Sequence, residues 1–159
     1  MTSHTYVRVT PRGTLTGRRF EKPRAAGTLV LVHGAGQDHH ALLALAQAIT
    51  SLDVVALDLP GRGMGSVPAC ANTSEAASLL GHVLDDETLR RPTLLGGHSL
   101  GGAVAIEVAL SRALPALVLL STGARLRVRD AILDDVRAVA QGRATRMRGE
   151  RIEQRQQRH

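Results

Sequence analysis

Apolar residues recur along this chain in two alternating patterns. "GTLVLVHG" at 27–34, "DVVALDLPG" at 53–61, "RPTLLGG" at 91–97 and "PALVLLSTG" at 115–123 are short runs with few polar interruptions. Runs of this kind, rich in β-branched residues and closed by Gly or Pro, predict strands buried on both faces. Between them the spacing changes to that of a helix. "DHHALLALAQAIT" at 38–50 repeats its apolar positions at Leu42, Leu45, Ala46 and Ile49, with Asp38 placed to cap the start. "NTSEAASLLGHVLDDETL" at 72–89 does the same at Leu79, Leu80, Val83 and Leu84, and "SLGGAVAIEVALSRA" at 99–113 forms a third helix. Upstream, "YVRV" and "TLTGRRF" flank Pro11, Arg12 and Gly13 and predict a hairpin.

Strand–helix alternation after a hairpin predicts an α/β fold: a mostly parallel sheet with helices on both faces. The pattern holds to about residue 140, where "AILDDVRAVA" starts one more helix. We expect one domain over 1–140 and an arginine-rich disordered tail over 141–159. The net charge of +6 supports this division, since +4 of it lies in the last nineteen residues. The high isoelectric point therefore describes a tail more than a domain.

Composition removes several classes of function. Tyr6 and Phe20 are the only aromatic residues, so there is no stacking surface for single-stranded nucleic acid. The arginines come without a recognition motif, so no specific nucleic-acid partner is expected. "GRGMGS" at 61–66 lacks the Lys-Ser/Thr ending of a phosphate loop. No His, Cys or carboxylate cluster shows metal-ligand spacing, and neither metal nor cofactor is expected. No apolar run is long enough to cross a bilayer, and the N-terminus lacks a signal-peptide layout. With Cys70 as the only cysteine, the expected compartment is the cytoplasm.

The candidate chemistry lies in "TLLGGHSLGG", 93–102. Gly97-His98-Ser99-Leu100-Gly101 is a G-x-S-x-G turn between a buried strand and an apolar helix, the context of a nucleophile elbow. Gly97 and Gly101 let the strand and helix backbones pass closely, and the turn leaves Ser99 at a helix N-terminus. "VHGAG" at 32–36 supplies the second part. Acyl transfer needs two backbone N–H groups aimed at the developing oxyanion. The candidates are Leu100, after the nucleophile, and Ala35 in the His-Gly loop, with Gly34 beside it. A dinucleotide-binding domain is the rival from another class, but its third glycine would stand where His39 is, and it gives Ser99 no role.

The segments "LVLVHGAGQDHHAL", "VVALDLPGRGMGS", "PTLLGGHSLGGAVAIEVAL" and "ALVLLSTGARLRV" resemble, in order and spacing, the α/β-hydrolase superfamily, in its esterase, lipase, haloperoxidase-like and carbon–carbon-bond hydrolase branch. The resemblance covers roughly 25–140. It implies a nucleophilic Ser99, an oxyanion hole at Ala35 and Leu100, a small ester-like substrate, and a helical cap beginning at about 125–140. It also implies a triad acid and then a histidine further along the chain. After Ser99 the only histidine is His159, and none of Glu107, Asp130, Asp134, Asp135, Glu150 and Glu153 follows an apolar strand. Triad acid and base are thus both unassigned. His33 and Asp58 read as turn-shaping residues, His98 as a packed neighbour of the elbow, and His39 or His40 as a weaker candidate base. The expectation is a chain truncated before the last core strands, impaired as an enzyme, with an unpaired sheet edge open to self-association. A partner chain that completes the site, or a non-catalytic binding role, are the alternatives.

Overall fold

The computed structural model describes residues 1–122. They form a six-stranded sheet with helices on both faces. The expected cap segment at 125–140 and the arginine-rich segment at 141–159 lie outside the described residues.

The chain opens with β1 (Thr2–Thr10) and β2 (Gly13–Glu21), an antiparallel hairpin. Then come β3 (Thr28–Val32), a 3-10 turn (His39–Leu42) running into α1 (Leu43–Ala48), and β4 (Asp53–Leu57). They are followed by α2 (Thr73–Leu84), β5 (Thr93–His98), α3 (Leu100–Ser111) and β6 (Leu117–Leu120). The strand order is β1-β2-β4-β3-β5-β6. β3, β4, β5 and β6 run parallel, and β2 joins β4 antiparallel, so the hairpin extends the main sheet.

Successive residues of a strand point to opposite faces, and β3 and β4 show it. Leu29, Leu31, Val54 and Ala56 pack on one face with Phe20, Leu42 and Ala46 of the α1 side. Val30, Val32, Val55 and Leu57 pack on the other with Leu80, Val83, Val104 and Ala105 of α2 and α3. The all-aliphatic runs noted in the sequence are buried because both of their faces are covered.

Two expectations change. The segment 38–50 is not one helix: its first turn is 3-10, because Asp38 accepts the His40 N–H and Asp58 accepts the His39 N–H. β6 is only half-buried. Among the described residues it pairs with β5 alone, and Leu119 is 41% exposed.

Candidate active site

Strand register places the chemistry. Val32 of β3 pairs with Leu57 of β4 on one side and Gly97 of β5 on the other. The three strands therefore end level, and the residues after them, His33, Asp58 and His98-Ser99, share one edge of the sheet. The chain goes from β3 to β4 on one side and then crosses to β5 on the other. Ligands in open α/β sheets bind at the carboxyl ends of strands where the order reverses in this way.

At that edge Ser99 turns the chain from β5 into α3 with φ 50° and ψ −114°. A positive φ is strained for a residue with a side chain and persists only where the surroundings enforce it. They do so here. The Ser99 N–H is held by the Leu120 carbonyl at 3.0 Å, and the Ser99 carbonyl accepts from Gly102 and Ala103 at 3.0 and 3.2 Å. A methyl group on Gly97 would strike the Gly101 carbonyl, and one on Gly101 would lie 2.5 Å from the His33 carbonyl oxygen. Only glycines let β5, α3 and the end of β3 approach so closely. The Ser99 side chain makes no capping bond to its helix, which leaves the hydroxyl at the positive end of α3.

The loop after β3 faces this turn. A methyl group on Gly34 would sit 3.3 Å from the Ser99 Cβ and 2.9 Å from His98 Nδ1. Gln37 closes the loop on itself: its Oε1 accepts the Gly34 N–H at 3.1 Å, and its own N–H reaches the Gly34 carbonyl at 3.3 Å. The Gly34 N–H is thereby spoken for. By contrast, the N–H groups of Ala35 and Leu100 have no protein acceptor among the described residues. Both residues line one cavity of about 460 Å³, with Leu59, Pro60, Arg62 and Val104 among its walls.

The histidines differ sharply in what they are free to do. His33 is buried, with both ring nitrogens engaged. Nδ1 lies 2.8 Å from the Gly34 carbonyl, and Nε2 accepts the Leu59 N–H at 3.0 Å. Since Nε2 accepts, Nδ1 carries the proton. Burial also pushes its pKa below 6.5, against the pull of the Gly34 carbonyl and Asp58. His33 is thus a neutral tie between the two loops and has no nitrogen to offer a substrate. His98 packs against the Gly34 loop.

His39 is held differently. Its Nδ1 lies 2.9 and 3.0 Å from the two carboxylate oxygens of Asp58, whose side chain is 1% exposed. Asp58 also accepts from Thr16 Oγ1 at 3.2 Å, and a methyl group on Gly63 would strike it. Among the described residues the bonds of the Asp58 carboxylate go to His39 and to Thr16 of β2, not to the turn after β4 as expected, so Asp58 orients the His39 ring. His40 leans on Asp38 in the same manner, Nδ1 to Oδ1 at 3.0 Å. Asp38, His39 and His40 bring ligand atoms within 4.8 Å of one another. Spacing in the sequence does not single this cluster out, because the three residues are consecutive and converge only on a tight turn.

Comparison with known proteins extends the picture. The chain is 38% identical over 96 residues to the dihydrolipoyllysine-residue acetyltransferase component of the acetoin cleaving system of Cupriavidus necator, a match covering 58% of this chain and 25% of that one. It is 33% identical over 113 residues to protein phosphatase methylesterase 1 of Bos taurus, covering 67% of this chain and 30% of the relative. A thermophilic esterase structure superposes with a TM-score of 0.70 at 27% identity, over 86% of this chain and 51% of the esterase. The chain thus spans under a third of those two curated relatives and about half of that esterase. The profile of the alpha/beta hydrolase family matches residues 29–157, a stretch that holds the β3 loop, the β4 turn and the strained serine. With sheet order, strained turn and family profile all in agreement, the chain belongs to the alpha/beta hydrolase family.

Proposed function

We propose that this chain carries the acyl-transfer site of a serine hydrolase, with Ser99 as nucleophile and the N–H groups of Ala35 and Leu100 as the oxyanion hole. One observation carries the reading: a serine strained into positive φ at a helix N-terminus, beside two uncommitted N–H groups on a single cavity. In this chemistry Ser99 Oγ attacks an ester carbonyl carbon and passes its proton to a base. The carbonyl oxygen takes the negative charge and is held by the two N–H groups. The C–O bond to the alcohol then breaks, the alcohol leaves with a proton, and water hydrolyses the serine ester. The aliphatic walls, Leu59, Ala76 and Val104, favour a short aliphatic acyl or alcohol group.

The base is the weak point. His33 has no free nitrogen, and among the described residues no histidine ring hydrogen-bonds to Ser99. We therefore infer that the chain by itself acylates and turns over slowly. Removing a triad member leaves roughly 10³–10⁴-fold catalysis over water from the oxyanion hole and binding alone.

The test is to label purified chain with a fluorophosphonate and to assay p-nitrophenyl butyrate. Labelling of the Ser99 peptide, its loss in Ser99→Ala, and weak turnover are the expected results. Equal labelling of wild type and Ser99→Ala would remove Ser99 from the role. Turnover at the rate of an intact esterase would refute the slow-chain reading.

A further inference from the structure

The turn that opens α1 presents a second set of donor atoms, independent of Ser99. The rings of His39 and His40 lie 4.2 Å apart between centroids, tilted by 30°. Each turns its Nδ1 to a carboxylate: His39 to Asp58 at 2.9 Å, His40 to Asp38 at 3.0 Å. A carboxylate accepts, so in the neutral ring Nδ1 carries the hydrogen and Nε2 keeps its lone pair. That is the tautomer a metal ligand needs, and an outer carboxylate on the second ring nitrogen is the usual means of orienting a metal-bound histidine.

The two histidines differ in exposure and in how firmly they are held. His39 is fixed because Asp58 is buried, grips both its ring and its backbone N–H, and is itself held by Thr16. His40 and Asp38 have side chains 68% and 45% exposed, so an ion can reach them from solvent. Asp38 also lines a cavity of about 390 Å³ with Gly36, Gln37, Arg62 and Gly63. Among the described residues Arg62 is the one cation on that wall and opposes a metal there, while Asp38 and Asp58 supply two carboxylates against it.

We propose that His39 and His40 form a binding site for a divalent transition-metal ion of the Zn²⁺ or Ni²⁺ class, the imidazoles acting through Nε2, with Asp58 and Asp38 as the outer carboxylates that hold the two rings and water completing the coordination. Imidazole nitrogen favours these ions over Mg²⁺ and Ca²⁺, which take oxygen ligands. Gly36 and Gln37 lie between this site and Ala35. A bound ion therefore stiffens the loop that carries one of the two oxyanion N–H groups.

Calorimetric titration of the full chain, freed of metal by a chelator, with ZnCl₂, NiCl₂ and MgCl₂ tests the site. The expected result is one Zn²⁺ or Ni²⁺ bound per chain and no Mg²⁺. His40→Ala and Asp38→Asn are expected to weaken binding by about tenfold or more. Asn caps a helical turn as well as Asp, so the second variant removes the carboxylate and keeps the turn. His82→Ala, on α2, is expected to bind as wild type does. Broadening of the His39 and His40 ring signals by Ni²⁺ in NMR spectra is the second readout. Absent Zn²⁺ and Ni²⁺ binding, or unchanged affinity in both His40→Ala and Asp38→Asn, would overturn the proposal.

Discussion

Gly34 and Ser99 stand so close that a methyl group on the glycine would lie 3.3 Å from the serine Cβ. The same methyl group would meet His98 Nδ1 at 2.9 Å and Gln37 Oε1 at 3.0 Å. All three neighbours are side-chain atoms, so the loop can yield to the extra methyl group without unfolding. It yields by moving away from Ser99 and taking the Ala35 N–H with it. Loss of one oxyanion donor costs about 10²–10³ in rate in well-studied hydrolases. Gly34→Ala is expected to keep the wild-type circular dichroism spectrum and to slow fluorophosphonate labelling of Ser99 by about tenfold or more. Labelling at the wild-type rate would show that this loop does not serve the serine.

His33 links the loop after β3 to the turn after β4, and both links are buried. His33→Phe removes the acceptor of the Leu59 N–H and the ring donor to the Gly34 carbonyl. Leaving a buried polar group unpaired costs about 1–3 kcal/mol, so urea unfolding of His33→Phe is expected to show a loss of that order or slightly more. The pH dependence has a definite sign. Folding lowers the His33 pKa below 6.5, so the unfolded chain binds the proton more readily. Its contribution is complete above pH 6.5 and is lost as pH falls toward the lowered value. Wild-type stability is expected to drop through that interval and His33→Phe to lack that component. Parallel pH profiles for the two proteins would contradict the neutral-tie assignment.

The sequence made some of this arrangement legible and hid the rest, for physical reasons. Strands at 28–32, 53–57 and 93–98 were visible because both faces of each are covered by aliphatic residues, which leaves no polar alternation. The elbow was visible because close backbone passage demands glycine at 97 and 101. Register was not visible: nothing in "DVVALD" or "VHGAG" says that Val32 sits beside Leu57, yet that pairing brings His39 to Asp58. The 3-10 turn at His39–Leu42 was hidden for the same reason, since it depends on a carboxylate just past the end of β4. β6 looked buried because Leu117–Leu120 is as apolar as the central strands, whereas among the described residues it has a neighbour on one side only.

The strain at Ser99 can be measured directly. Ser99 holds φ 50°, where a side chain is unfavourable and glycine is not. Sparsely populated conformations of this kind cost about 1–3 kcal/mol. Ser99→Ala keeps the Cβ and the strain, whereas Ser99→Gly removes both. Neither variant has a hydroxyl, so comparing them isolates the backbone effect. Ser99→Gly is expected to unfold at a higher urea concentration than Ser99→Ala, by about 1 kcal/mol. The general cost of glycine runs the other way by about 0.5–1 kcal/mol, so equal or reversed midpoints would mean that the turn is relaxed.

A buried hydrogen bond from the Tyr6 hydroxyl to Asp86 Oδ2, at 2.7 Å, helps tie the hairpin to the rest of the fold. Asp86 also accepts the Thr88 N–H at 2.9 Å and lies 3.6 Å from Arg8. Burial works against the charge on Asp86, but the bonds from Tyr6 and Thr88 and the Arg8 charge outweigh it and hold its carboxyl below the usual 3.8. Burial, and then the bond and charge of Asp86, push the Tyr6 hydroxyl well above 10. The signs set a window. The Asp86 contribution is present above pH 3.8 and fades as pH falls through the lowered value, while that of Tyr6 is present below pH 10 and fades as pH rises. Tyr6→Phe loses a bond to a charged acceptor, worth about 1.5–3 kcal/mol, and keeps the ring in the core. The stability gap between wild type and Tyr6→Phe is expected to be widest between those two limits and to narrow beyond each, as read by urea unfolding across the pH range. A gap that stays constant into acid and alkali would assign the loss to packing of the ring rather than to the hydrogen bond.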